Sequence, residues 1–441
     1  MDKFWSGNHK LNIFEIALRA LIILLPFTTI ISVFSEQRLG IPGVTYYKEI
    51  LLILGLGYLA WSHLRGKLQI TWGWIDLMIL IYIIYLTTIS FGTTGIRGIL
   101  YGGRYDFEFL IAFWMTYHGA SLLSKPLSFY LKLFLYSSGI MLILSGLLKF
   151  PFSEELLLHF GYSGSPSAWQ FGNAPPIFHG IDGANVRRFQ GILDGPNTMG
   201  AFLIMFSGWF AYYIREKKPW YFVNGLILLG LLIMIIYTYS RSALIGVLVG
   251  YMIIIVSGMV YIFRFYRKQF LSILIGGILL VGILSIQYAG TLGAILGRSG
   301  STKGHLERMV TSFERFKAHP FGQGLGSSGP GYRHTQELEG LTRAEIEEKD
   351  RFYIPESWYI QQFVEGGIVG GLVFLILMFI FFIRLYKKQV ILGAMFVGIG
   401  VMNLFLHTFE SSPFVLLFFL LIGLTLAERY HGNRIYRNES V

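Results

Sequence analysis

Residues 226–263 read LILLGLLIMIIYTYSRSALIGVLVGYMIIIVSGMVYIF. Both halves are almost pure hydrocarbon, and one charge, Arg241, stands at the join. The hydrocarbon core of a bilayer needs roughly 20 apolar residues per helical span, so each half is long enough to cross it. An arginine at the centre of a span costs roughly 3 kcal/mol on insertion scales. Arg241 therefore marks a membrane surface, or it is a charge kept in place for work.

Working outward, similar runs recur along the 441 residues, of which 54% are hydrophobic and only 14% charged. No soluble globular class has this composition. The pattern predicts an all-α integral membrane protein of about twelve transmembrane helices. They fall near 13–34, 44–62, 72–91, 107–123, 129–150, 198–214, 221–239, 242–263, 270–290, 358–383, 389–407 and 412–428. The first run is long enough to be a span rather than a removable signal peptide. Cysteine is absent, which excludes disulfides, thiolate metal sites and cysteine nucleophiles. The net charge of +11 does not imply nucleic acid, because no basic stripe with interleaved aromatics appears.

Orientation follows from lysine and arginine in the short loops. The strings HLRGK (63–67), REKKP (215–219), RFYRKQ (264–269), RLYKKQ (384–389) and the tail ERYHGNRIYRN all fall on one side if the N-terminus is cytoplasmic. Both termini are then inside. The chain divides into residues 1–290, a transmembrane domain with spans one to nine; residues 291–357, a long extracytoplasmic loop containing amphipathic helices between spans nine and ten; and residues 358–441, with spans ten to twelve and a cytoplasmic tail.

Four segments lie outside on this topology: 92–108, 151–197, the YTYSRS joint and 291–357. They carry Arg97, Arg104, Arg187, Arg188, Arg241 and Arg298, where positive charge is disfavoured. Long loops escape that rule individually, but the set points to an anionic ligand held at the outer surface. Within the last segment, GHLERMVTSFERFKAH places Leu306, Met309, Val310, Phe313 and Phe316 at helical spacing. This predicts an amphipathic helix lying on the membrane or capping a cavity. ELEGLTRAEIEEKD predicts a second, polar helix.

Other candidates read more plainly. His305, His319 and His334 match no metal-ligand spacing, and EIEEKD fits a solvated helix face. GQGLGSSGPG lacks the Gly-Lys-Ser ending of a nucleotide loop, and as a turn it still offers backbone N–H groups to an anion. Glu15 and Arg19 form an i,i+4 pair suited to structure. With Asp76 and Glu365 they make a thin set for a proton-coupled carrier. In RRFQGILDGPNTMG, Asp194 or Asn197 is placed to cap a helix and Pro196 suits its first turn, which leaves Arg187 and Arg188 unexplained. In PESWYIQQFVEGGIVG, Glu356 precedes a span, where a carboxylate also suits the helix dipole. Trp358 and Tyr359 fit interface anchoring, or stacking on sugar faces.

Read in order, RRFQGILDGPNTMG, YTYSRSALIG, RMVTSFERFKAHPFGQGLGS and PESWYIQQFVEGGIVG resemble the O-antigen ligase and O-antigen polymerase family of membrane glycosyltransferases. The resemblance covers about residues 185–385 by motif and the whole chain by architecture. It implies transfer of a glycan from a polyprenyl-diphosphate-linked donor to an acceptor hydroxyl, at the outer face of the bacterial cytoplasmic membrane. It implies no cofactor, no metal and no nucleotide sugar, because arginines neutralise the leaving diphosphate. Its partners are the lipid-linked glycan donor, a glycan or lipid-linked acceptor, and membrane lipids. Arg188 and Arg241 match the family's arginine positions, and Arg104 is a further candidate for the diphosphate. Where many ligases of the family carry His-Asn, with the histidine as proposed base, this chain has Glu356-Ser357. A carboxylate can do that work, as in glycosidases, so Glu356 is the catalytic candidate. The departure favours a surface polysaccharide polymerase over a ligase joining polysaccharide to a lipid core. A transporter of lipid-linked oligosaccharides shares the topology and the basic cavity but has no need of Glu356 beside the arginines.

Overall fold

The structure, a computed structural model, describes residues 11–165, 174–181, 184–217, 221–263, 299–335 and 341–438. It is mostly helical. In chain order the principal helices are α1 (Ile13–Leu24), α2 (Thr28–Gln37), α3 (Tyr47–Leu64), α4 (Trp74–Gly92), α5 (Gly95–Asp106), α6 (Glu108–Gly119), α7 (Leu127–Lys149), α8 (Pro196–Lys217), α9 (Tyr221–Tyr237), α10 (Arg241–Phe263), α11 (Ser299–Ala318), α12 (Arg343–Tyr353), α13 (Trp358–Lys388), α14 (Val390–Met402) and α15 (Ser412–Asn438). The predicted span 270–290 and Arg298 lie outside the described residues.

Among the described residues, five helical stretches are long and apolar enough to cross a membrane: Ile13–Gln37, Trp74–Gly92, Leu127–Lys149, Arg241–Gly258 and Trp358–Lys388. Phe222–Tyr237, Val390–Met402 and Ser412–Ala427 are shorter apolar helices. The first stretch is interrupted at Leu25–Phe27, a 3-10 turn with Pro26 inside it. A proline cannot donate to the carbonyl one turn back, and this breaks the regular ladder. The predicted span 107–123 is only a 12-residue helix, Glu108–Gly119, followed by a 3-10 turn at Ala120–Leu122. The segment 92–108, expected on the outer face, is largely the helix α5. The segment 151–197, also expected outside, carries the antiparallel pair Gly180–Ile181 and Ala184–Arg187.

Small residues let the helices approach. At Gly246 of α10 a Cβ would meet the Gly398 carbonyl oxygen of α14 at 2.4 Å. Such contact gives dispersion and backbone attraction where lipid removes any hydrophobic drive between helices. The buried charges are paired in a way that fits structural roles. Glu15 takes hydrogen bonds from Arg19, from Ser124 Oγ and N at 2.8 and 3.1 Å, and from Tyr130 Oη at 2.8 Å. Asp76 closes the start of α4 by accepting from Gly73 N at 2.7 Å, and it meets His118 Nε2 at 2.8 Å.

The glycine-rich segment 322–331 is docked rather than open. Glu365 Oε1 accepts from the backbone N–H groups of Gly326 and Ser328 at 3.0 and 3.3 Å. Two of the N–H groups of GQGLGSSGPG are therefore turned to an internal carboxyl group. Beside it, α13 is broken at Gly367, with φ 61 and ψ −161. Ile368 N donates to Pro320 O at 2.8 Å, and Gly324 N donates to Glu365 O at 2.9 Å. Arg315 of α11 locks the other side, donating to Gln323 Oε1 at 2.6 Å and Ser327 O at 2.9 Å. These bonds fix the position of α11 over the start of α13.

Candidate active site

The YTYSRS joint is a sharp turn. Tyr239 takes a left-handed φ of 48, which ends α9. Ser240 then caps α10, its Oγ accepting from Ala243 N at 3.4 Å. Arg241 is the first residue of α10. A helix start concentrates unpaired N–H groups and positive dipole, which suits an anion. Arg188 arrives from the β-hairpin and is held beside the joint: Nε donates to Thr238 O at 3.0 Å and Nη2 to Asn197 Oδ1 at 2.9 Å. Asn197 thus serves Arg188 rather than capping α8. Asp194 bonds the Thr198 side chain instead, and Pro196 opens the helix as expected. Arg188, Asn197, Tyr239, Arg241 and Ser242 line a cavity of about 300 Å³, together with His305 and Met309 of α11.

Glu356 lies in a second cavity of about 730 Å³, with Lys303, His305, Glu307, Arg308, Thr311 and Arg351. His305 is in the wall of both cavities. Ser357, not Glu356, caps α13, its Oγ accepting from Ile360 N at 3.5 Å. Glu356 takes a left-handed φ of 56, and Pro355 precedes it. Both of its carboxylate oxygens are engaged. Arg308 Nη1 donates to Oε1, and His305 Nδ1 is 3.1 Å from Oε2. Burial alone would raise this carboxyl. The hydrogen bond from His305 and the electrostatic influence of His407, His305 and Arg308 overcome burial and hold it at about 2. Glu410, behind it, is pushed well up by burial and by the Glu356 charge. Glu356 is thus held as the carboxylate of the pair, and Glu410 is biased toward its neutral acid.

The structure thus brings Arg188 and Arg241 together and sets Glu356 in the adjoining cavity. It does not bring Arg104 there. Arg104 lines neither cavity; its Nη2 is 2.7 Å from Glu49 Oε1, and its guanidinium stacks 5.0 Å from the Tyr46 ring. Trp358 is fully buried and packs against Phe409, so it has no face to offer a sugar. Tyr359 Oη donates to Gly400 O at 3.1 Å. The three loop histidines diverge: His305 meets Glu356, His334 stacks on Tyr101 at 4.4 Å, and His319 is exposed.

Sequence reading missed His305 and Arg308 as site residues. The signal was their i,i+3 spacing on the polar face of the amphipathic helix, continued by Ser312 and Arg315. That face is the buried one: Ser312 is 0% and Arg315 8% exposed, whereas Leu306 and Val310 are 60% and 53% exposed. No curated protein matches the chain. Residues 225–375 match the family model described as O-antigen ligase, a segment that takes in Arg241, His305, Arg308 and Glu356, and the match supports the O-antigen ligase and polymerase family read from the motifs.

Proposed function

We propose that this protein transfers a glycan from a polyprenyl-diphosphate-linked donor to an acceptor hydroxyl, as a surface polysaccharide polymerase of the bacterial cytoplasmic membrane. About twelve spans carry the chemistry at the outer face, with both termini cytoplasmic, and the 291–357 segment roofs the site. The observation that carries this reading is the pair of adjoining cavities, one holding Arg188 and Arg241, the other Glu356, with His305 common to both. The donor diphosphate occupies the smaller cavity. Two guanidiniums and the start of α10 stabilise the charge that develops as the diphosphate leaves, which needs no metal. The acceptor enters the larger cavity. There Glu356 supplies the negative charge on which activation of the acceptor hydroxyl depends.

The test is release of polyprenyl diphosphate by purified protein given the lipid-linked oligosaccharide extracted from a deletion strain. A transporter releases none. Arg188→Ala and Arg241→Ala are each expected to lower release by roughly 10²-fold or more at normal membrane levels. Arg241→Lys keeps the charge but loses the planar fork, so it too loses most activity. Near wild-type rates in both alanine variants would remove the diphosphate assignment. Products of the deletion strain separate the two enzyme readings: single repeat units on the acceptor mean a polymerase, unattached long chains a ligase.

A further inference from the structure

His305 stands one turn before Arg308 on α11, so the two side chains project from one face toward Glu356. They divide the carboxylate between them, Arg308 at Oε1 and His305 at Oε2. Each Glu356 oxygen keeps a second lone pair, but both oxygens already face a basic partner. His305 does have a second ring nitrogen. Nδ1 is the ring nitrogen nearest the carboxylate, at 3.1 Å, and a ring proton placed there leaves Nε2 to accept one. The His305 side chain is 37% exposed and borders both cavities. A carboxylate that ionises at about 2 is also a weak base near neutrality.

We propose that His305 is the group that receives the acceptor proton, with Glu356 as its charge partner. The assignment rests on the reading of the two cavities given above. The acceptor oxygen forms a bond to the anomeric carbon of the donor. The bond from that carbon to the diphosphate oxygen breaks, and its electron pair leaves with the lipid diphosphate, beside Arg188 and Arg241. The hydroxyl proton passes to His305 Nε2. The imidazolium so formed donates through Nδ1 to Glu356, whose negative charge stabilises it. Product release and return of the proton to solvent restore the neutral ring. Arg308 holds Glu356 in its left-handed backbone position and keeps the carboxylate ionised.

Chemical rescue tests this. Full-length protein receives the lipid-linked oligosaccharide extracted from cells lacking the chain, and lipid diphosphate release is followed. His305→Ala is expected to lose about 10²–10⁴-fold in rate, the usual contribution of a general base. Added imidazole, entering the space left between the cavities, is expected to restore part of the loss. His305→Gln, which fills that space without a basic nitrogen, is expected to be as slow and to gain nothing. Melting temperature in detergent shows whether each variant is folded. Two results overturn the proposal: His305→Ala within a few-fold of wild type, or a loss in folded His305→Ala that imidazole leaves unchanged. Arg241→Ala in the same assay separates the levels. If it is inactive while His305→Ala is active, the proton path is wrong and glycan transfer stands. If both are active, the transfer reading falls with it.

Discussion

Glu356 is one of two non-glycine residues with positive φ among the described residues. The left-handed region costs an L-residue roughly 1–2 kcal/mol, so the surroundings must hold it there. They do so with charge: Arg308 and His305 each take one carboxylate oxygen, and the group ionises at about 2 instead of 4.5. The linkage has a definite sign. A depressed carboxyl stabilises the fold fully above its unfolded value near 4.5, and the contribution is lost as pH falls toward 2. Glu356→Gln cannot ionise. Its melting temperature is expected to lie below wild type at pH 6, with the gap closing as pH falls from 4.5 toward 2. A pH-independent gap would show that packing, not the ion contacts, holds Glu356. Glu410 has the opposite sign, because burial raises its folded value. It stabilises below its unfolded value near 4.5 and the contribution is lost as pH rises. Glu410→Gln should match wild type at pH 4 and exceed it increasingly toward pH 8 in the same melting series.

At the scale of elements, α11 explains both what was legible and what was not. Its existence and amphipathic character follow from the spacing of Leu306, Met309, Val310, Phe313 and Phe316. Which face turns inward does not follow, because the rule that apolar residues face the core assumes water outside. Here Leu306, Val310 and Phe313 are 60%, 53% and 47% exposed, and the polar stripe of His305, Arg308, Ser312 and Arg315 meets the protein. Arg188 and Arg241 were legible because a cation beside a membrane span stands out locally. Arg308 was not, since its partner Glu356 is 48 residues away in sequence. The docking of the glycine-rich segment was hidden for the same reason. It depends on Glu365, on the break at Gly367 and on the close approach of α5. At Gly102 a Cβ would lie 2.3 Å from Gly326 N, and at Gly367 it would lie 2.3 Å from Phe321 C. Gly367 also has φ 61 and ψ −161, a region open essentially to glycine. Gly367→Ala is therefore expected to cost roughly 1–3 kcal/mol from backbone strain alone. Because the same segment seats α11, glycan transfer should fall as the melting temperature falls. Wild-type melting and activity in Gly367→Ala would mean that the break in α13 is not required.

For the whole molecule, the surface argues for lipid. Ile84, Ile143, Leu248 and Phe379 belong to four different membrane-competent helices and are 56%, 64%, 62% and 62% exposed. Such faces on several helices suit hydrocarbon and would be an aggregation hazard in water. Which way the helices run decides whether the cavities can reach a lipid-linked donor on the outer leaflet. The basic loops predict HLRGK, and with it Lys67, inside, and α11 outside. The absence of cysteine from all 441 residues makes this directly measurable. Lys67 is exposed on the loop after α3, and the Glu314 side chain is 62% exposed on α11. Neither belongs to the two cavities, so a cysteine at either should leave transfer intact. A membrane-impermeant maleimide applied to intact cells or spheroplasts is expected to label Glu314→Cys and to spare Lys67→Cys. Lysis should then make Lys67→Cys reactive, which shows that protection came from the membrane and not from the fold. The reverse pattern would put Arg241, His305 and Glu356 on the cytoplasmic side. The polymerase reading would then fail whatever the point variants did, because it needs the donor and all three residues on the outer side of the same membrane.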